Sequence, residues 1–351
     1  MTSSRVGVCS SKDVKLASRL APTVGSLPAM PLTTTLRPLD GWPQARAWVD
    51  RTLAANGLKA TEPPSSARLR PWSMVARLPV GDDVVWFKAN GRGSRYEAPL
   101  IEALARWAPD QSIAPIAIDA EHGWSLLPDG GPTLRESPAD SPTHWEAFLG
   151  VHAQLQLDLV GHVGEMVGFG VPHLPVESLP GRLDALLDDP AVWAKSEAGQ
   201  RQAVAAQVPA YREACAELAA GVIPVSLQHD DLHDGNVFVR DGYRFFDWGD
   251  AYLGHPFALL LVGLRVAADR FTLPHGDPAL LRLRDAYLEP WSSFAPHAQL
   301  AREVELAMKV AKVARALSWQ RALLDAESDA LDEWGDAVPG WLAETLEPDV
   351  I

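Results

Sequence analysis

The chain has 351 residues, enough for two domains or one two-lobed unit, and its 47% hydrophobic and 22% charged content is that of a soluble globular protein. A formal net charge of −14 argues against nucleic acid and anionic membrane as partners and favours cationic small molecules. The two cysteines, Cys9 and Cys215, have no zinc-ligand spacing and make no disulfide framework, which points to a reducing compartment.

Residues 1–35 are rich in Ser, Thr and Pro, lack periodicity and read as a disordered extension. They hold no continuous apolar run of the secretory type, so a cytoplasmic protein is expected. The longest apolar run, Phe257–Ala268, contains Arg265 and is too short to span a bilayer. Leu39–Leu58 predicts a short helix, with Asp40 to cap it, Pro43 in its first turn and Gly57 to stop it. Ala67–Leu78 and Asp83–Ala89 predict two strands joined by a tight turn. Tyr96–Trp107 has helical spacing of Leu100, Leu104 and Trp107, and Ile113–Ile118 and Gly123–Leu127 predict two more strands.

The run PDGGPT breaks the pattern at Pro128–Thr133, and beyond it the chain turns helical. Helices are predicted over His144–Leu159, Leu179–Leu187, Ala191–Ala220, Pro256–Ala268, Pro278–Trp291 and His297–Leu324. One short β-like island, Ser226–Trp248, interrupts them. The organisation expected is an N-terminal extension over 1–35, a β-rich lobe over 36–130 and a helical lobe over 131–351. The thirteen Trp are read as packing residues, and the acidic group Asp325, Glu327, Asp329, Asp332, Glu333 and Asp336 as a solvated face.

Chemistry concentrates in the island. His229, Asp230, Asp231, His233, Asp234 and Asn236 fall within eight residues, flanked by the apolar runs Val237–Val239 and Phe245–Phe246. Asp241-Gly242 between those runs is a hairpin signal, so the second strand returns Asp247 towards the polar loop. Phosphoryl transfer needs a carboxylate to orient an attacking hydroxyl and oxygen ligands to hold Mg²⁺ against phosphates. Asp231, Asn236 five residues on, and Asp247 after an apolar strand match that pattern. His229 with His233 also spells a possible metal pair, but such pairs sit on helices, whereas Gly235 and the flanking strands do not suit one.

HDDLHDGN followed by FFDW resembles the aminoglycoside phosphotransferase family of kinase-like enzymes. The resemblance implies an α+β, bilobal protein-kinase-like fold, ATP (or GTP) as donor, Mg²⁺, and a small-molecule hydroxyl as acceptor, in a monomer or homodimer. It makes Asp231 the catalytic carboxylate, with His229 shaping the loop, and Asn236 and Asp247 the Mg²⁺ ligands. Lys88, ending VVWFK, corresponds to the lysine that contacts the phosphates, and Glu97 to its ion-pair partner, with Glu102 further down the helix as the alternative. Leu126 and Leu127 fall at the adenine-binding strand, and Ser73 in the turn that covers the phosphates, where this chain lacks a glycine-rich loop. Asp230 replaces the family's common Gly, and Asp tolerates positive φ better than most residues. His255 stands where the family usually has Asp. The alternative expectation is an inactive kinase-like nucleotide-binding module.

Overall fold

The computed structural model describes residues 36–138 and 140–351. The extension expected over residues 1–35 lies outside the described residues. The chain divides into two compact units: one runs to Ser137 and also takes in Val237–Gly249 and Leu324–Ala326, and the other holds Pro138–Asn236, Asp250–Leu323 and Glu327–Ile351.

The first unit is built on a five-stranded antiparallel sheet. Its strands are β1 (Ser65–Leu69), β2 (Ser73–Val80), β3 (Asp83–Asn90), β4 (Ala117–Asp119) and β5 (Trp124–Pro128), in the order β1-β2-β3-β5-β4. Helix α1 (Pro43–Ala55) precedes the sheet, and α2 (Glu97–Trp107) lies between β3 and β4 in the chain. Strand alternation sorts the side chains to two faces. Met74, Ala76 and Leu78 of β2, Val85, Phe87 and Ala89 of β3, and Trp124 and Leu126 of β5 join Trp42, Val49 and Leu53 in one core cluster. Burying a side chain of this size contributes about 1.5–3 kcal/mol over leaving it exposed, which seats α1 firmly on that face. The intervening residues Val75, Trp86, Lys88 and Leu127 therefore point to the other face, where they line a cavity.

Three expectations are corrected here. The stretch read as one strand over Ala67–Leu78 is two, because Pro71 lacks the N–H a ladder needs and the Arg70 N–H closes a turn on the Ser73 carbonyl at 2.9 Å. The strand expected over Ile113–Ile118 starts only at Ala117, after Pro115. Asp40 does not cap α1: its carboxylate accepts the neighbouring Gly41 N–H, and Trp42 occupies the cap position.

The second unit is mostly helical. It contains α3 (Pro142–Leu159), α4 (Val163–Gly168), α5 (Leu179–Asp188), α6 (Gln200–Ala219), α7 (Leu260–Phe271), α8 (Pro278–Leu288), α9 (His297–Ala322), α10 (Ser328–Trp334) and α11 (Ala337–Ala343). The helix expected from Ala191 begins only at Gln200, because Gly199 takes φ 84°, outside the helical range. Part of the acidic stretch read as a solvated face folds as α10. Strands β6 (Ser226–Gln228) and β9 (Tyr252–Gly254) pair antiparallel, with Gln228 opposite Tyr252. Central α9 buries Leu300, Val304, Ala307, Ala311 and Ala314 on its apolar side. Among the described residues no helix is long and apolar enough to cross a membrane.

Between β6 and β9 the chain passes through the first unit as the hairpin β7 (Val237–Phe238) and β8 (Arg244–Phe245). Its turn uses Asp241 at φ 57° and Gly242 at φ 110°, the two positive values expected of an Asp-Gly hairpin. Phe238 also bridges Thr133, and the Phe245 N–H bonds the Gln111 carbonyl at 2.9 Å, which ties the hairpin to its own unit. A strand-rich first unit and a mostly helical second unit are the α+β organisation expected from the sequence.

Candidate active site

In the first unit the site begins with Lys88. It lies one residue past Phe87, so when Phe87 enters the core Lys88 must face the cavity. Its side chain is 10% exposed, and its ammonium donates to Glu97 Oε1 at 2.8 Å and to Asp247 Oδ1 at 2.5 Å, with Glu97 Oε2 in ion-pair contact at 2.7 Å. Burial disfavours the charged lysine, but the adjacent Asp247 and Glu97 outweigh it and the Lys88 pKa is raised. Burial is also the main influence on Glu97, whose pKa rises despite the opposing Lys88 charge.

Glu97 is the first residue of α2, and it accepts a hydrogen bond from the Trp248 N–H at 2.9 Å. The Tyr96 hydroxyl donates to the Gly249 carbonyl at 2.6 Å. The start of α2 therefore grips the backbone on the C-terminal side of Asp247 and sets where that carboxylate stands. Asp247 itself takes φ 64°, a left-handed conformation costing on the order of 1 kcal/mol for a residue with a Cβ. Its second oxygen receives Arg68 Nη2 at 3.2 Å.

The cavity around these groups is lined by Val75, Trp86, Leu127, Phe238 and Phe246 besides Arg68, Lys88 and Asp247. Mostly apolar walls with a few charged groups are the character of a ligand pocket. Gly130 closes one side, and a Cβ there would stand 2.2 Å from the Phe238 ring, so only glycine fits. Of the two leucines singled out in the sequence, Leu127 lines the cavity while Leu126 is fully buried in the core on the opposite face. Ser73 is buried at the first position of β2 opposite Asn90 and is not among the lining residues.

Beside the cavity, burial raises the Asp129 carboxyl to about 6, against the opposing hydrogen bond from Trp86 Nε1 at 3.4 Å. A carboxyl that binds its proton more tightly when folded makes the fold more stable as the pH drops from about 6 towards the ordinary Asp value near 4. The native protein should therefore gain thermal stability on acidification through that window. Asp129→Asn should lose that part of the slope, as read from the difference in melting temperature at pH 7 and pH 5. Equal slopes in the two proteins would contradict it.

In the second unit β6 delivers the loop His229–Asn236. His229 is fully buried, with its ring edge-on to that of His152 at 6.2 Å. Burial, and secondarily the nearness of His229, keeps the His152 pKa well below its usual value. Asp230 takes φ 65°, the backbone conformation that Gly would otherwise supply, and its buried carboxylate accepts the Ser318 hydroxyl at 2.6 Å. Burial lifts that carboxyl to about 6, in opposition to the Arg315 charge. The Asp231 side chain is 32% exposed, against 2% for Asp230, so of this pair it is the one open to solvent.

Asn236 donates its amide N–H to the Asp231 carbonyl at 2.9 Å, and its backbone N–H bonds the His233 carbonyl at the same distance. His233 Nδ1 accepts the Gly235 N–H, and buried Asp234 faces Arg270 at 3.5 Å. His255 is buried and caps the short helical turn Pro256–Leu259 by accepting the Phe257 N–H at 3.3 Å.

Two residues passed over in the sequence reading stand in these sites. Arg68 touches Asp247, and Arg315 of α9 contacts Asp231 at 2.8 Å and Asp250 at 2.7 Å. A signal for the second was present: Lys312, Arg315 and Ser318 recur every three residues with only Val313, Ala314, Ala316 and Leu317 between them, a face that is buried only when its polar groups have partners.

No curated protein matches the chain. Among solved structures it is similar to the GDP and kanamycin complex of APH(2")-IIia, with 13% identity, a TM-score of 0.56, and coverage of 85% of this chain and 98% of that one. It is similar to a choline/ethanolamine kinase family protein from Mesorhizobium loti, with 15% identity, a TM-score of 0.56, and coverage of 87% and 94%. It is also similar to a macrolide 2'-phosphotransferase type I, with 16% identity, a TM-score of 0.51, and coverage of 84% and 96%. At these identities the likeness is one of fold. The sequence pattern of the phosphotransferase enzyme family matches residues 92–298, more than half of the chain, and the protein belongs to that family.

Proposed function

We propose that this phosphotransferase moves the γ-phosphoryl group of ATP onto a hydroxyl of a small cationic molecule, an aminoglycoside, amino sugar or amino alcohol. The observation that carries the reading is the Lys88–Glu97–Asp247 cluster on the wall of a largely apolar cavity. Lys88 offers a fixed positive charge to phosphate oxygens, and Leu127 and Val75 offer apolar surface to a purine.

Asn236 and Asp247 are the residues that would hold Mg²⁺. Asn236 spends its amide nitrogen on Asp231, which leaves its oxygen for a cation, and the Asp247 carboxylate already gathers positive charge from Lys88 and Arg68. Two hard oxygen donors suit this ion, and when bound it would neutralise charge on the phosphate oxygens.

Asp231 orients the acceptor hydroxyl and takes its proton as the acceptor oxygen bonds to the γ-phosphorus. The bond from that phosphorus to the β–γ bridging oxygen breaks, and its electron pair leaves with the diphosphate. Lys88 steadies the charge that remains. Positioning and electrostatics supply most of the rate in such transfers. The net charge of −14 favours a cationic acceptor, and one similar fold was solved with kanamycin and another belongs to a choline/ethanolamine kinase family protein.

The test is purified protein with Mg·ATP against a panel of aminoglycosides, amino sugars and amino alcohols. ATP consumption and product mass are read together, with EDTA as the metal-free control. Metal-dependent phosphorylation of a cationic acceptor supports the reading. Nucleotide-induced thermal stabilisation without consumption across the panel would instead identify an inactive nucleotide-binding module.

A further inference from the structure

We propose that Arg315 is a positioning residue for Asp231, a clamp supplied by α9 that holds the candidate base in its working orientation. The inference rests on the reading of Asp231 given under Proposed function. Every group it uses lies within the second unit.

Because Gln228 pairs with Tyr252, the residues after β6 and those before β9 emerge at the same end of the two-stranded ladder. Asp230, Asp231 and Asp250 are thereby gathered at one place, and three carboxylates so gathered repel one another unless a cation stands among them. Arg315 fills that role. Its guanidinium donates to Asp231 Oδ1 at 2.8 Å and to Asp250 Oδ2 at 2.7 Å, and it reaches Asp230 Oδ2 at 3.5 Å. The side chain is 8% exposed.

The same face of α9 adds Ser318, which donates to Asp230 at 2.6 Å, and Arg321, which donates to the Asp250 carbonyl at 3.1 Å. Positions 315, 318 and 321 advance by three residues each, so they lie along one side of the helix. Trp341 of α11 places its ring 5.8 Å from the guanidinium carbon.

The geometry requires arginine. A planar guanidinium has donors on two nitrogens in fixed directions, so it binds two carboxylates at once and fixes the angle between them, whereas an ammonium supplies a point charge without that fork. Asp230 is pinned by Ser318, whereas Asp231, 32% exposed, is approached by Arg315 at 2.8 Å, by the Asn236 amide at 3.5 Å and by His233 Nε2 at 3.8 Å, Arg315 being the nearest of these three. Removing the guanidinium lets repulsion from Asp230 and Asp250 turn the Asp231 carboxylate outward. The loss then falls on turnover rather than on substrate binding.

The experiment compares wild type, Arg315→Ala, Arg315→Lys and Asp231→Asn, using the acceptor identified in the panel. Circular dichroism and nucleotide-induced thermal shift are recorded for each. We expect folded Arg315→Ala to bind nucleotide as wild type does, with KM for both substrates changed little and kcat lowered about 100-fold, the scale of an ångström-sized misplacement. Arg315→Lys should fall between the two. Added guanidinium ion should restore part of the turnover of Arg315→Ala and none of that of Asp231→Asn.

Should Arg315→Ala fail to fold, Arg315→Lys and Asp250→Asn, which loosens the other arm of the clamp, are expected to lower kcat with KM unchanged. A folded Arg315→Ala, or this substitute pair, with wild-type kcat overturns the proposal. So does a defect confined to KM, or a turnover loss in Arg315→Ala that guanidinium leaves untouched. Loss of transfer in Asp231→Asn alone overturns this proposal and spares the reading beneath it, whereas a wild type without transfer to any acceptor overturns both.

Discussion

Asp231→Asn is expected to lower kcat by about 10²–10⁴-fold, the range for a positioned group that accepts a proton in the transition state. The substitution keeps the shape of the side chain, and its amide oxygen still accepts from Arg315, which now reaches the carboxylate at 2.8 Å. Folding should therefore be little affected. What is lost is the negative charge and the capacity to take the hydroxyl proton. The cavity proposed for the nucleotide is lined by residues of the first unit, so nucleotide binding should be retained. Steady-state kinetics with the best acceptor, alongside nucleotide-induced thermal shift, separates the two quantities. A variant with kcat within threefold of wild type would remove Asp231 from the chemistry. Asp230→Asn is the informative neighbour: its carboxylate is buried against Ser318 and serves the shape of the loop, so its loss should register as lowered stability.

The second large effect is expected at Lys88. Lys88→Met takes the central cation from between Glu97 and Asp247, and breaking a buried pair in this way costs about 3–5 kcal/mol because charge is left uncompensated. Two features soften the loss. Glu97 already has a raised pKa and can retain a proton once Lys88 is gone, and Arg68 stays on Asp247 at 3.2 Å. A fall of about 3 kcal/mol in urea unfolding is therefore expected, together with loss of the nucleotide-induced thermal shift. Combining Lys88→Met with Glu97→Gln should return part of the stability and none of the nucleotide binding. That contrast separates lysine as an electrostatic plug from lysine as a phosphate ligand. If the double variant bound nucleotide normally, Lys88 would be structural only.

The role proposed for Arg315 adds a third carrier of the chemistry, drawn from a helix that crosses none of the recognised motifs. It also gives a physical account of how this loop stands with His at position 255. His255 is engaged in capping the turn after β9, and the loop is braced from α9 through Arg315, Ser318 and Arg321.

The residue order alone determined the local grammar of this protein. Alternation in VVWFK dictated that Lys88 and Phe87 face opposite sides of a strand, and Asp-Gly at 241–242 dictated a hairpin returning Asp247. The spacing of Asp231, Asn236 and Asp247 announced phosphoryl chemistry, because each of these signals is carried by residues near one another in the chain. Backbone breaks were harder to read. Pro71, Pro115 and Gly199 each ended or delayed an element that the apolar pattern would have continued, since that pattern reports burial and not the loss of an N–H or a left-handed φ.

Tertiary structure alone decided which partners those residues meet. Leu126 and Leu127 are adjacent and chemically alike, yet only packing of α1 against one face of the sheet shows which lies in the core and which in the cavity. Arg68 meets Asp247 across 179 positions, and Arg315 meets Asp231 across 84. A charged side chain reveals nothing of its partner when the contact is so distant in sequence, because the energy that selects it exists only once the intervening chain has folded and excluded water.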